Sequence, residues 1–101
     1  MLTFVQSSTF ADWLEGLSDD VARVRILDRL TKASLGHFGD CEPIGEGVSE
    51  MRIHVGAGYR LYFVRTGTVV YVLLCGGNKS TQKRDIVTAK KLAQNIRQGA
   101  K

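Results

Sequence analysis

The fourteen residues from Glu50 to Phe63 constrain the fold of this chain more than any others. Met51, Ile53 and Val55 alternate with Glu50, Arg52 and His54; after Gly56-Ala57-Gly58, Tyr59, Leu61 and Phe63 alternate with Arg60 and Tyr62. A period of two marks a strand with one buried face, so the segment reads as a β-hairpin closed by the Gly-Ala-Gly break. A three-residue loop would pair Val55 with Tyr59, His54 with Arg60, Ile53 with Leu61 and Arg52 with Tyr62. Apolar residues then meet on one face, whereas a slip by one residue would mix the faces. The other face gathers Arg52, His54, Arg60 and Tyr62. Cations side by side on adjacent strands do not stabilise a sheet, so their company points to a bound polyanion.

The flanking segments build the rest of the fold. Leu2 to Val5 is a short apolar strand. Ser7 or Ser8 can cap a helix with Phe10, Trp13, Leu14 and Leu17 on one side. Ser18-Asp19-Asp20 starts a second helix, which runs through Ala22, Ile26, Leu27, Leu30 and Ala33 to a stop at Gly36. Gly39, Pro43, Gly45 and Gly47 punctuate a stretch that holds only a short or edge strand, because proline lacks a ladder donor. A turn at Arg65-Thr66-Gly67 follows the hairpin. Val69 to Cys75 is apolar on both faces and belongs inside the sheet, and Gly76-Gly77-Asn78 breaks it. Ser80 or Thr81 begins a last helix that packs through Ile86, Ala89, Ala93 and Ile96. The order β-α-α-β-β-β-β-α describes an α+β fold: a mostly antiparallel sheet packed against an N-terminal αα-hairpin and a C-terminal helix.

At 101 residues the chain reads as one domain, residues 1–101. No apolar run reaches membrane-spanning length and the N-terminus lacks signal-peptide character, so a cytoplasmic protein with no membrane partner is expected. Cys41 and Cys75 fit reduced core thiols. No Cys/His cluster has metal-ligand spacing, so neither a metal nor a cofactor is expected. The charge is uneven. Residues 79–101 hold seven cations against the single acid Asp85, a net of +6, which leaves −2 on residues 1–78 of a chain whose total is +4. Such a tail suits nucleic acid or a solvated helix face.

Three segments carry a family resemblance: Gly47-Val48-Ser49-Glu50-Met51-Arg52-Ile53, Gly58-Tyr59-Arg60-Leu61-Tyr62-Phe63, and Leu74-Cys75-Gly76-Gly77-Asn78-Lys79-Ser80-Thr81-Gln82. With the helix hairpin ahead of them, they resemble the RelE/ParE superfamily of bacterial type II toxins, and most closely its HigB-like branch of addiction-module killer proteins. The resemblance covers nearly the whole chain. It implies a RelE-like fold, a cognate antitoxin, itself expected to carry a helix-turn-helix, and one of two activities. RelE and HigB types cleave mRNA on the ribosome; ParE types inhibit DNA gyrase. A third alternative is a nucleic-acid-binding domain without toxicity. By resemblance to the RNA-cleaving members, Arg60 matches the strand arginine of the Gly-Tyr-Arg motif. Arg52 and His54 match a basic pair on the preceding strand, and Lys79 a basic residue after the last strand. Relatives place a Tyr or His near the start of the last helix; here that neighbourhood offers Gln82 and Asp85.

Metal-free RNA cleavage by the substrate's own 2′-hydroxyl needs a proton acceptor, charge stabilisation at phosphorus and a proton donor for the leaving 5′-oxygen. Arg60 and Lys79, supported by Arg52, suit the middle task, since both types stay cationic and arginine can hold two phosphate oxygens. Histidine is the side-chain type best suited to carry a proton near neutral pH, so His54 is the first proton carrier to consider, with Glu50 or Asp85 as the alternative base. Tyr62 could stack on a base or hold a sugar. Lys83 and Arg84 could touch RNA backbone. Each has a plainer reading: solvated ion pairs for the arginines, core edge for Tyr62, helix-dipole compensation for Asp85.

Overall fold

A computed structural model describes residues 1–99. The elements run β1 (Thr3–Gln6), α1 (Ser8–Glu15), α2 (Asp20–Ser34), β2 (Cys41–Gly45), β3 (Val48–Ile53), β4 (Tyr59–Arg65), β5 (Val70–Asn78) and α3 (Gln82–Gly99), with a short 3-10 turn at Lys79–Thr81. The five strands form one sheet in the order β1-β5-β4-β3-β2, antiparallel except for the parallel β1–β5 pair. The α+β architecture and the element order are those read from the sequence, and Pro43 does lie on an edge strand.

Local chemistry sets the helix boundaries. Ser7 caps α1, its Oγ accepting from Phe10 N at 3.0 Å and donating to Leu74 O at 2.8 Å, which ties the helix start to β5. Asp19 caps α2 through Oδ1 and accepts the Tyr59 hydroxyl at Oδ2, 3.2 Å away, so the same side chain anchors α2 to the start of β4. Gly36, at φ +96°, ends α2 in the left-handed conformation that glycine adopts without Cβ strain.

The sheet is covered on both faces. Helices α1 and α2 bury Phe10, Leu14, Ala22, Ile26 and Ala33 against Met51, Ile53, Leu61, Phe63 and Leu73. An aromatic group of Phe4, Phe38, Phe63 and Tyr71, with centroids 5.1–6.1 Å apart, extends that core beyond α1. On the other face α3 lays Ala89 and Ala93 on Val48, Tyr62, Val64, Leu74 and Cys75. A register shift between β4 and β5 pairs Tyr62 with Cys75 but Phe63 with Leu73. The extra residue, Leu74, lets two consecutive side chains join the α3 core.

Three sequence readings are corrected here. The hairpin turn is longer than the Gly-Ala-Gly break: β3 stops at Ile53 and β4 starts at Tyr59, so the register moves by two, pairing Arg52 with Arg60 and Glu50 with Tyr62. A shift of two keeps every side chain on its face, which is why the faces were legible and the partners were not. Next, Gly76 and Gly77 do not break β5, which continues to Asn78. They are glycines of close approach: a Cβ on Gly76 would lie 2.4 Å from the Trp13 ring, and one on Gly77 1.8 Å from Asp85 Oδ2. Finally, Leu27 is largely exposed on the outer side of α2 and takes no part in the core.

Candidate functional site

At the end of the α3 face, beyond the apolar contact, the cationic positions of β3 and β4 meet a matching set of acids. Glu50 lies at its centre, only 1% exposed. Its Oε1 accepts from Arg52 Nε at 3.2 Å. Its Oε2 accepts from the Tyr62 hydroxyl at 3.1 Å and from Gln82 Nε2, on the first turn of α3, at 2.9 Å. A carboxylate engaged on this scale is fixed in place. It also lies out of reach of a substrate, which removes Glu50 from the possible proton acceptors.

The two facing arginines differ sharply. Arg52 is surrounded by acids: besides Glu50, Nη1 meets Asp40 Oδ1 at 3.3 Å and Nη2 is bonded by Glu42. The Glu42 hydrogen bond above all, with the charges of Glu42, Asp40 and Glu50, raises its pKa further above the ordinary value. Arg60, its side chain 12% exposed, has far less. Nη1 donates to Gly58 O at 3.2 Å, while Nε stands 3.6 Å from Glu50 Oε2, too far for a hydrogen bond. Among the described residues Arg60 Nε is a buried side-chain donor without a partner. Since Tyr62 and Gln82 already occupy Oε2, the guanidinium is held near a carboxylate without being consumed by it.

Lys79 completes the cluster. Asn78 Oδ1 accepts from Ser80 N at 2.9 Å, Asn78 N donates to Thr81 Oγ1 at 3.2 Å, and this capping box fixes the turn that presents Lys79. Gly58, at φ +75°, separates the two cations: a Cβ there would stand 3.6 Å from Lys79 Cβ and 3.9 Å from Arg60 Nη1. Arg52, His54, Gly58, Tyr59, Arg60 and Lys79 line a cavity of about 100 Å³. Its lining brings three cations, Arg52, Arg60 and Lys79, to one opening. A hollow of about 320 Å³ beside Phe38, Phe63 and Tyr71 is larger, but Arg65 is its one charged lining residue. A hollow of about 390 Å³ beside Glu46, Lys90 and Lys91 is larger still; the smaller cavity stands out because it gathers the cations of the strand motifs, Arg52, Arg60 and Lys79.

The remaining sequence candidates divide. His54 falls in the turn just past β3, 73% exposed, with Nε2 2.6 Å from Asp40 Oδ2. That hydrogen bond, followed by the nearby Arg52 charge, holds the Asp40 carboxyl below the usual carboxylate range. Tyr62 is fully buried beneath α3 and cannot stack on a base; its phenol is pushed well above its usual value by burial and by Glu50. Asp85 is also buried. It accepts from Thr81 Oγ1 at 2.5 Å and packs over Gly77, so its carboxylate secures the first turn of α3 instead of facing the cavity. Lys83 and Arg84 stand on the outer side of that turn and do not line the cavity. Sequence reading missed Asp40 and Glu42. The β2–β3 register, which sets Glu42 opposite Glu50, is the signal that would have brought Glu42 to Arg52. Among the described residues no group of three or more His, Cys, Asp and Glu could hold a metal ion.

The family model described as "Phage derived protein Gp49-like" matches residues 12–96, a span that contains every residue of the cavity. The chain belongs to the Gp49-like family. This is a family of RelE-like toxins, in agreement with the resemblance carried by the strand motifs. A Haemophilus influenzae protein, described as uncharacterized, is 43% identical to this Gp49-like chain over 88 residues, covering 87% of this chain and 89% of its own length. No helix among the described residues is long and apolar enough to cross a membrane.

Proposed function

We propose that this protein is the toxin of a type II toxin–antitoxin module and that it cleaves mRNA bound to the ribosome, as the HigB-like branch does. The observation that carries the reading is the difference between the two facing arginines: Arg60 meets the single carboxylate Glu50, at 3.6 Å, where Arg52 meets three. Arg60 spends one Nη1 hydrogen bond on Gly58 O, and its guanidinium lines the same cavity as Lys79, an arrangement suited to a phosphate. Preorganised cations of this kind stabilise the charge that builds on phosphorus and cost no reorganisation during the reaction.

In this scheme Arg60 and Lys79 hold the scissile phosphate. Arg52, committed to three carboxylates, supports the frame and contributes little charge. Glu50, Tyr62 and Gln82 keep Arg60 in position. His54 carries the proton: it accepts the 2′-hydroxyl proton as the 2′-oxygen bonds to phosphorus, then gives it to the 5′-oxygen as that bond breaks. The products are a 2′,3′-cyclic phosphate and a free 5′-hydroxyl. The ribosome orders the mRNA and so supplies the proximity that a small cavity cannot. Lys83 and Arg84, exposed on the first turn of α3, would meet neighbouring RNA backbone in this scheme, and the partner in the resting cell is an antitoxin.

Induced expression tests the reading. The wild-type protein should arrest growth, while Arg60→Ala should be harmless and yet show the same circular dichroism and thermal midpoint. A folded, fully toxic Arg60→Ala variant would remove Arg60 from the chemistry. Growth arrest with intact mRNA and trapped gyrase–DNA complexes would indicate the ParE-like activity instead.

A further inference from the structure

Asp40 belongs to none of the roles assigned above, yet it bonds two of the residues that line the cavity, Arg52 and His54. The loop that carries it is pinned from α2: Arg29 donates from Nη2 to Phe38 O at 2.9 Å and from Nη1 to Arg52 O at 2.6 Å. Gly39, at φ +70°, lies so close to Arg29 that a Cβ would meet Nη2 at 2.7 Å. Asp40 O accepts from Arg52 N at 2.9 Å, which continues the edge pairing of β3 past the end of β2. With its backbone fixed, Asp40 divides its carboxylate between two neighbours, Oδ1 to Arg52 Nη1 at 3.3 Å and Oδ2 to His54 Nε2 at 2.6 Å.

His54 needs such a partner. It is the first residue beyond β3 and stands mostly in solvent, so packing does little to fix an imidazole ring whose second torsion is intrinsically broad. Occupying Nε2 also selects the tautomer. In the neutral ring the proton sits on Nε2, directed at the carboxylate, and Nδ1 is left as the basic nitrogen.

We propose that Asp40 is a positioning residue that orients His54 and makes Nδ1 the atom that exchanges protons with the substrate. The inference rests on the proton-carrying role given to His54 under the proposed function. In the reaction Nδ1 takes the proton of the 2′-hydroxyl as the new oxygen–phosphorus bond forms, and the same proton passes to the 5′-oxygen as the old bond breaks. Asp40 remains ionised throughout and touches neither oxygen. Arg52 on β3, Glu42 on β2 and Arg29 on α2 are the other charged groups near it; Arg52 holds Oδ1, Glu42 holds the Arg52 guanidinium and Arg29 holds the loop backbone, leaving Oδ2 to His54.

Two measurements on the full-length protein test this together. Nitrogen-15 spectra of the His54 ring should show the neutral form protonated on Nε2 in the wild type, and a mixture of tautomers in Asp40→Ala. Asp40→Asn keeps an acceptor oxygen and should restore the wild-type pattern. Single-turnover cleavage of ribosome-bound mRNA should be slowed at least tenfold in Asp40→Ala with KM unchanged, less than the 10²–10⁴-fold expected for removing a general acid–base residue outright. In His54→Ala the further change Asp40→Ala should have no added effect. An unchanged tautomer ratio in Asp40→Ala overturns the proposal, as does full cleavage rate in Asp40→Ala where His54→Ala is slow. If His54→Ala itself cleaves normally, the proton-carrying reading fails, and the ring spectra still decide whether Asp40 orients the ring.

Discussion

The two faces of the sheet use one alternating pattern for different ends. On the α1–α2 face the core positions of β3 and β4, Met51, Ile53, Tyr59, Leu61 and Phe63, carry no charged side chain, and they form one buried cluster with Phe10 and Ile26; Ser49 and Arg65 share that face only at its far edge. On the α3 face the pattern changes midway. Val48, Val64 and Leu74 pack against Ala89 and Ala93, while toward the Lys79 end Glu50, Arg52 and Arg60 replace hydrocarbon with ions, and the buried Tyr62 hydroxyl donates to Glu50. Facing like charges and burying a carboxylate contribute little to stability. The first face therefore contributes most to holding the fold together, and the end of the second is where the proposed phosphate site lies.

That division can be broken from either side. Phe10→Ala removes a fully buried ring from the α1–α2 core and should cost about 3–5 kcal/mol in urea denaturation, while the folded fraction keeps its full specific cleavage activity. A proportionate loss of specific activity would mean the faces are not separable. On the other face the arginines divide the effect between them. Arg60→Ala should lower cleavage about 10²–10³-fold, the scale of a lost charge-stabilising donor, and Arg52→Ala well under tenfold in single-turnover assays. Equal losses would erase the distinction drawn from their partners.

A smaller effect probes where helix and strand touch. Gly76→Ala drives a methyl group into the Trp13 ring and should cost about 1–3 kcal/mol. Trp13→Ala should relieve part of that cost in a double-mutant cycle, and an additive pair would show that the close contact is not what requires glycine. The smallest effect concerns Tyr62. Burial raises its phenol well above the ordinary value, so the folded state keeps its proton where the unfolded chain loses it. The stability this confers is complete below about pH 10 and falls as pH rises beyond, by up to about 1.4 kcal/mol per pH unit. The difference in urea midpoint between wild type and Tyr62→Phe, followed from pH 9 to 11, should show that fall; a flat difference would mean the phenol ionises equally in both states.

Which face each hairpin residue takes was legible because alternation survives any register shift of two. The partners were not legible, because the turn absorbs His54 and Val55 as well as the glycines, and no local pattern announces its length. Gly76 and Gly77 look like a strand terminator in sequence, and only the positions of Trp13 and Asp85 reveal them as places where another element comes close. Arg60 stood out through its motif. That it is the less neutralised of two facing arginines depends on Asp40 and Glu42, which come from a glycine-punctuated segment whose pairing the sequence left open.

The central claim is that Arg60, and not Arg52, supplies the charge for mRNA cleavage. Toeprinting of mRNA on translating ribosomes with purified wild-type, Arg52→Ala and Arg60→Ala proteins tests it most directly. Cuts positioned by codon in the ribosomal A site are expected with the wild type, the same cuts at somewhat reduced intensity with Arg52→Ala, and none with folded Arg60→Ala. Undiminished cuts with Arg60→Ala, or intact mRNA with the wild-type protein, would contradict it.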